Sequence, residues 1–383
     1  MGQKLHRSRR SVFKRRNPIW RVLLTILPAA AIVALGFFGT KLLWESPQDS
    51  AEPVTGQTVT TTAPSSTQTT VPPTQNDTAT LDALRAFYLP HAAIINNTSL
   101  TATLQQAKQA GFTAVMMDMK DANGTLYFRA SAERAVQVNS YAANALDLST
   151  LRATFAAIRE AGLNPIPRLY AFCDNAAARV LADARVYPTG SPSWVWYDNK
   201  PDNGGRAWLN PYADAAHLYL IDLAEELRDA GAAAIVFDGV QFPAQTSGAY
   251  FGENAATETR ADALTTFIST AKQLLGNTCP VILAHTADGA LGNKTQVYGG
   301  NPLTFGATIA APQFSGSAAE ADIKQMATRI KVIEAAAQPS LAPILPYTDA
   351  ATAKQSIDVC AAQQVTSYIL YAADGQYDFA ALQ

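Results

Sequence analysis

Asp238 ends a continuous apolar run, Ala232-Ala-Ala-Ile-Val-Phe237, and is followed by Gly239-Val-Gln241-Phe-Pro243. An uninterrupted apolar run is what a strand buried on both faces requires, and the Gly and Pro then stop it. An acid at the C-terminal end of a parallel strand stands where barrel enzymes do their chemistry. The plain alternative is an aspartate that caps the next helix or holds a loop. Other apolar runs end in the same way, in Asp118-Met-Lys120-Asp121, in Arg168-Leu-Tyr170 and in His285. Glycoside hydrolysis is within reach of such residues, since it uses two carboxyl groups flanking the bond, one donating a proton and one acting as nucleophile or base. Asp238 is the expected nucleophile or base. No Glu closes any of these runs, which leaves Asp118, Asp121, Asp174 or the loop residue Glu253 as proton donor. Strand alternation puts Lys120 on the face of Asp118, and a nearby ammonium favours the ionised carboxyl, so a structural or substrate-binding ion pair competes with catalysis there. Arg168 would orient Asp238 from a neighbouring strand, or simply neutralise it.

The elements that must position these residues alternate regularly. Strands are expected at Ala92–Asn96, Ala114–Asp118, Pro165–Tyr170, Ala233–Asp238, Pro280–His285, Ala307–Ala311, Ala342–Pro346 and Ser367–Tyr371, with amphipathic segments at Leu100–Ala110, Leu148–Ala161, Ala213–Ala230, Glu258–Leu275, Glu320–Ala337 and Ala350–Gln363. Several helices close on Ala-Gly pairs, at Gly111, Gly162 and Gly231. Such alternation predicts right-handed βαβ units and an α/β fold, most economically a (β/α)8 TIM barrel. An open doubly wound sheet is disfavoured because Asn96-Asn-Thr-Ser, not a glycine-rich phosphate loop, follows the first expected strand. The strand ends then add Gln241, Gln313, Tyr347 and Tyr371 to Arg168, Tyr170 and His285 as a polar mouth edged by aromatics, which suits carbohydrate rings. The long third βα connection holds Trp194, Trp196, Tyr197 and Trp208-Leu-Asn210-Pro-Tyr212, where sugar stacking is expected, with part of this set packing the loop onto the barrel instead.

Residues 1–21 carry eight Lys and Arg and no acid, and Val22 to Thr40 carries no charge. A run of this length can cross a hydrocarbon core of ~30 Å as a helix, with the basic tail held cytoplasmic. A single-pass anchor at 22–44 is therefore expected, with the C-terminal domain extracellular, and a cleaved signal peptide is the weaker alternative. The Ser/Thr/Pro-rich stretch 45–80 has little to bury and is expected to be a disordered linker, leaving 81–383 for the barrel. Removing the eight basic residues of the tail from the overall charge of -2 leaves 21 Lys and Arg against 31 Asp and Glu, a net of -10 for the remainder. That excess argues against nucleic acid as a partner. Cys173, Cys279 and Cys360 are odd in number and widely spaced, and are read as buried thiols. His6, His91, His217 and His285 do not cluster, and no metal or cofactor is expected.

The order of Asp118-Met-Lys-Asp121, Arg168-Leu-Tyr-Ala-Phe172, Trp208-Leu-Asn-Pro-Tyr212 and Phe237-Asp-Gly-Val-Gln-Phe-Pro243 resembles the glycoside-hydrolase-like family of bacterial TIM-barrel proteins known as DUF4015. The resemblance spans about Tyr88 to Tyr377. It implies an extracytoplasmic barrel related to amylase-like glycosidases, acting on a cell-envelope glycan or exopolysaccharide. The family pattern of a Tyr and an Arg after the motif acid is replaced here by Gly239 and Gln241. The sixth strand reads Ala-Pro312-Gln-Phe, the last two end in Tyr347 and Tyr371 where the family has Trp, and His285 stands where amylase-like barrels place a Glu. Two functions stay open: a hydrolase centred on Asp238 with Asp118 or Asp121 as second carboxylate, and a catalytically degenerate barrel that binds glycan as a cell-wall assembly module.

Overall fold

Eight strands pair in parallel, each with the next in sequence, and the last returns to the first. They are β1 (Arg85–Leu89), β2 (Ala114–Lys120), β3 (Asn164–Tyr170), β4 (Ile235–Asp238), β5 (Val281–Thr286), β6 (Ile309–Gln313), β7 (Ile344–Pro346) and β8 (Tyr368–Tyr371). This computed structural model describes residues 81, 83–293 and 295–383. The expected basic tail, membrane span and linker of 1–80 lie outside the described residues. Among the described residues no helix is long and apolar enough to cross a membrane.

The strands read as continuous apolar runs because both faces are covered. Small Ala86, Ala114, Ala234, Ala284 and Ala311 share the barrel interior with Met116, Ile166, Val236, Ile282 and Ile369, filling it as a packed core. Their neighbours Val115, Met117, Leu169, Phe237 and Leu283 point outward and pack with helix residues such as Phe155, Leu220 and Phe267. Full burial of one such side chain contributes about 1.5–3 kcal/mol. The covering helices are α1 (Asn97–Gln109), α2 (Leu148–Glu160), α3 (Asp214–Asp229), α4 (Arg260–Leu275), α5 (Glu320–Lys331) and α6 (Ala350–Ala362). The Ala-Gly endings work as read: at α1 the amides of Gly111 and Phe112 reach back to Lys108 and Ala107, with Gly111 at φ 85°. The same pair of bonds closes α2 at Gly162 and α3 at Gly231. The (β/α)8 expectation holds for the described residues.

Two local expectations are corrected. The first strand is Arg85–Leu89, and the run expected as strand, Ala92–Asn96, instead contributes to a short helix, His91–Ile94. Pro90 ends pairing at that point, and four apolar residues in a row fit a buried helical turn as well as a strand. The second correction lies in β2, where the pairing with β3 slips between Asp118 and Lys120. That bulge breaks the alternation, so Lys120 pairs with outward-facing Leu169 and leaves the face of Asp118. Of the cysteines, all free, Cys279 and Cys360 are buried and Cys173 is half-buried.

Candidate active site

β2 and β3 pair with Asp118 opposite Arg168, and β3 and β4 with Tyr170 opposite Asp238, so adjacent strand ends deliver three charged groups to one place. The Arg168 guanidinium spans the two acids. Its Nε and Nη2 donate to Asp118 Oδ1 and Oδ2 at 2.5 and 3.1 Å, and its Nη1 reaches Asp238 Oδ2 at 3.4 Å. Asp118 Oδ2 also accepts from the Tyr88 hydroxyl at 2.8 Å. Asp238 Oδ2 accepts from Gln313 Nε2 at 2.8 Å, and its Oδ1 accepts from the amide of Gly239 at 2.7 Å. The left-handed φ of 62° at Gly239 turns the chain sharply after the acid, and a Cβ there would come 3.4 Å from the Tyr170 ring. Tyr170 also hydrogen-bonds Asp238, so a phenol stands on this acid although residue 239 supplies none.

Arg168 lies over the rings of Tyr88, Tyr170 and Tyr371 at 5.2, 5.1 and 5.4 Å, and Tyr88 stacks on Tyr371 at 4.5 Å. These faces hold the cation in place with little water. Burial works against charge on Arg168, but Asp118 and Asp238 outweigh it and keep the guanidinium protonated. Burial pushes the Asp238 carboxyl above its usual range, against the opposing pull of Arg168, Gln313 and the Gly239 amide. Burial, then the charge of Asp118, pushes the Tyr88 phenol up, which keeps it a hydrogen-bond donor. The arrangement therefore offers one dry carboxyl suited to holding and passing a proton and a second carboxylate, 15% exposed, set between a cation and a phenol.

The structure thus gathers Asp118, Arg168, Tyr170, Asp238, Gln313 and Tyr371. The structure gives the other expected residues the following partners and surroundings. Asp121 Oδ1 accepts from the amides of Asn123 and Thr125 at 2.9 and 2.8 Å and shapes a turn. Trp208 is buried with its indole N–H on Asp198 at 2.9 Å, and Asn210 bonds the carbonyl of Phe251 at 2.9 Å. His285 shares the outward phase of Leu283 and is buried, with Nδ1 3.2 Å from the Thr286 carbonyl oxygen. Tyr347 accepts from the amide of Asp378 at 2.8 Å, and Gln241 is half-buried in the β4–α4 connection.

A family model described as "Putative glycosyl hydrolase domain", DUF4015, matches residues 86–291, more than half of the 383-residue chain. The chain belongs to the DUF4015 family. The match stops before β6, β7 and β8, on which several of the departures from the family pattern fall, while Gly239 and Gln241 lie within it. No curated protein matches the sequence. Among solved structures, the glycoside hydrolase domain of PgaB (BpsB) from Bordetella bronchiseptica shares 13% identity over 76% of this chain and 94% of that one, with a TM-score of 0.56. A hypothetical protein from Ruminiclostridium thermocellum ATCC 27405 shares 19% over 51% and 96%, at 0.44. A GH20 exo beta-N-acetylglucosaminidase from Vibrio harveyi shares 9% over 69% and 41%, at 0.48. At these identities the PgaB likeness speaks for the barrel fold alone, and the other two scores add nothing to it.

Two features of this DUF4015 barrel escaped the sequence reading. Tyr88 was hidden by the misplaced first strand, although an aromatic two residues before a proline at a strand end was a usable signal. The second is an ion pair behind the site, Lys120 Nζ to Asp174 Oδ2 at 2.9 Å, both side chains fully buried. Lys120 Nζ also donates to the Tyr170 carbonyl at 2.5 Å and so pins the end of β3.

Proposed function

We propose that this chain is a membrane-anchored extracellular glycoside hydrolase acting on a cell-envelope glycan or exopolysaccharide. The observation that carries the reading is the Asp118–Arg168–Asp238 constellation at the C-terminal face of a barrel of the DUF4015 family. In this scheme Asp238, expected from the sequence as nucleophile or base, instead gives a proton to the glycosidic oxygen as the bond breaks and takes one back from the attacking water, because burial raises its affinity for a proton. Asp118, held by Arg168 and Tyr88, faces the positive charge that develops on the sugar ring as the bond breaks. The anchor is read from the uncharged run 22–40 behind a basic tail.

Two observations favour a glycan-binding module that does not cleave. A single guanidinium already engages both acids, and among the described residues no Glu stands at a strand end. Reducing-end release from envelope and storage polysaccharides, measured for wild type beside Asp238→Asn, separates the two. The hydrolase reading expects release by the wild type that falls at least 100-fold in the variant. Release by neither protein, with glycan still bound, leaves the binding module.

A further inference from the structure

The aromatic residues of the β3–α3 connection divide sharply in their surroundings. Trp196, Trp208 and Tyr212 are buried, whereas Trp194 is 72% exposed. The connection that carries Trp194 is ordered by many bonds. Residues 171–213 are stitched to 239–259, the connection after β4, through the amide of Thr189 on the Gly248 carbonyl at 2.8 Å, Trp196 Nε1 on Ser247 at 3.1 Å and a two-stranded ribbon. In that ribbon Tyr187 pairs directly with Tyr250, so their side chains stand side by side on one face, Tyr250 being 39% exposed. Arg185 ties the backbone beside Trp194 to this pair: its Nη2 bonds the carbonyl of Ser193, the residue before Trp194, at 3.1 Å while its guanidinium lies 5.4 Å over the Tyr187 ring. The two phenol groups are tethered at their tips, Tyr187 to the Ala182 carbonyl and Tyr250 to Glu253 Oε1. Ring faces held in this way give contact area at low entropic cost.

Both connections leave directly from the strands that end in Arg168–Tyr170 and Asp238, so the aromatic surface lies on the loops that follow the two strands bearing these residues. We infer that Trp194, Tyr187 and Tyr250 form a stacking track for successive sugar rings, and that the ligand is a glycan chain of several units, not a mono- or disaccharide. The inference rests on the reading of the mouth as a glycan site. Rings with C–H patches on their faces and hydroxyls on their rims fit flat aromatics that carry phenol oxygens at their edges better than a purely apolar partner would.

The test is calorimetric titration of the full-length protein, in detergent micelles and carrying Asp238→Asn to keep ligands intact. The probes are disaccharides and hexasaccharides of β-1,4-glucose, β-1,4-N-acetylglucosamine and α-1,4-glucose. The track expects at least one hexasaccharide to bind more tightly than its disaccharide. Trp194→Ala should weaken that hexasaccharide roughly tenfold and leave the disaccharide unchanged, with Trp194→Phe restoring most of the loss. Hexasaccharide binding that Trp194→Ala does not alter overturns the track while leaving the glycan reading in place. Binding of none of the six probes overturns the glycan reading itself and the track with it.

Discussion

A side chain removed from water has its protonation set by what replaces the water, and two groups near the mouth show opposite results. Asp238 keeps four hydrogen-bonding neighbours and is still pushed towards the protonated form. His285 has only the Thr286 carbonyl on Nδ1, its Nε2 has no partner, and burial lowers its pKa to about 4. In the unfolded chain this histidine titrates near ~6.5. Between those values the unfolded state binds the extra proton, so folding stability is lost as pH falls from about 6.5 towards about 4. Urea denaturation at pH 7 and pH 5 should show His285→Gln losing about 2 kcal/mol less than wild type over that interval. His91 and His217 are lowered by burial too, but they contribute equally to both proteins. At this scale Asp118, Arg168 and Asp238 were legible because a charge that ends an apolar run has few structural explanations. His285 was not placed correctly, since a one-residue difference in strand phase decides between the mouth and the helix layer, and the apolar run Val281–Ala284 gives no phase of its own. Trp208 and Asn210 looked like binding residues because nothing in the sequence reveals that Asp198 and Phe251 already engage them.

The bulge in β2 shows how an element can settle what residue types leave open. Without the slip after Asp118, alternation would bring Lys120 to the same face, where it would compete with Arg168 for the carboxylate. With it, the ammonium enters a dry site behind β3 and meets Asp174, which also caps the short helix Asn175–Val180 through the amide of Ala177 at 2.7 Å. The pair is packed closely: a Cβ on Gly124 would come 1.9 Å from Asp174 Oδ1. Removing one partner leaves a buried charge without its counterion, whereas removing both does not. Lys120→Met should therefore cost about 3–5 kcal/mol in thermal or chemical denaturation, and adding Asp174→Asn should recover part of that loss. Additive costs in the double variant would mean that the two residues act separately. Among the described residues, seven of the eight barrel strands and the six long helices were legible from continuous apolar runs, amphipathic segments and Ala-Gly endings. β1 was not, because Arg85-Ala-Phe-Tyr-Leu89 is short and begins with a charge, while the four-residue apolar run after Pro90 imitates a strand.

For the molecule as a whole, the alternation of runs was enough to count a barrel, but closure depends on a contact between segments far apart in sequence. β1 meets β8 through Arg85–Tyr368, Ala86–Ile369 and Phe87–Leu370. Beyond those pairs the seam is finished by Tyr377, whose hydroxyl accepts from the amides of Tyr88 and Ala372 at 3.1 and 2.9 Å and lies 2.9 Å from the Tyr88 carbonyl. Its ring packs edge-on to Phe87 at 5.7 Å, so the same residue anchors the outer core of the first strand. Tyr88 is thereby fixed by its backbone to Tyr377 and by its ring to Tyr371 before its own hydroxyl reaches Asp118. Tyr377→Phe keeps the ring and removes the oxygen, leaving two amides at the seam without an acceptor. A loss of about 2 kcal/mol follows, since an unmet buried donor costs more than a net hydrogen bond contributes. Because a closed barrel has no edge at which to open cheaply, calorimetry should show one cooperative transition at a lower Tm. A second, earlier transition in the variant would mean that β1 and β8 separate before the rest of the barrel melts, and that Tyr88 and its hold on Asp118 depend on this seam alone.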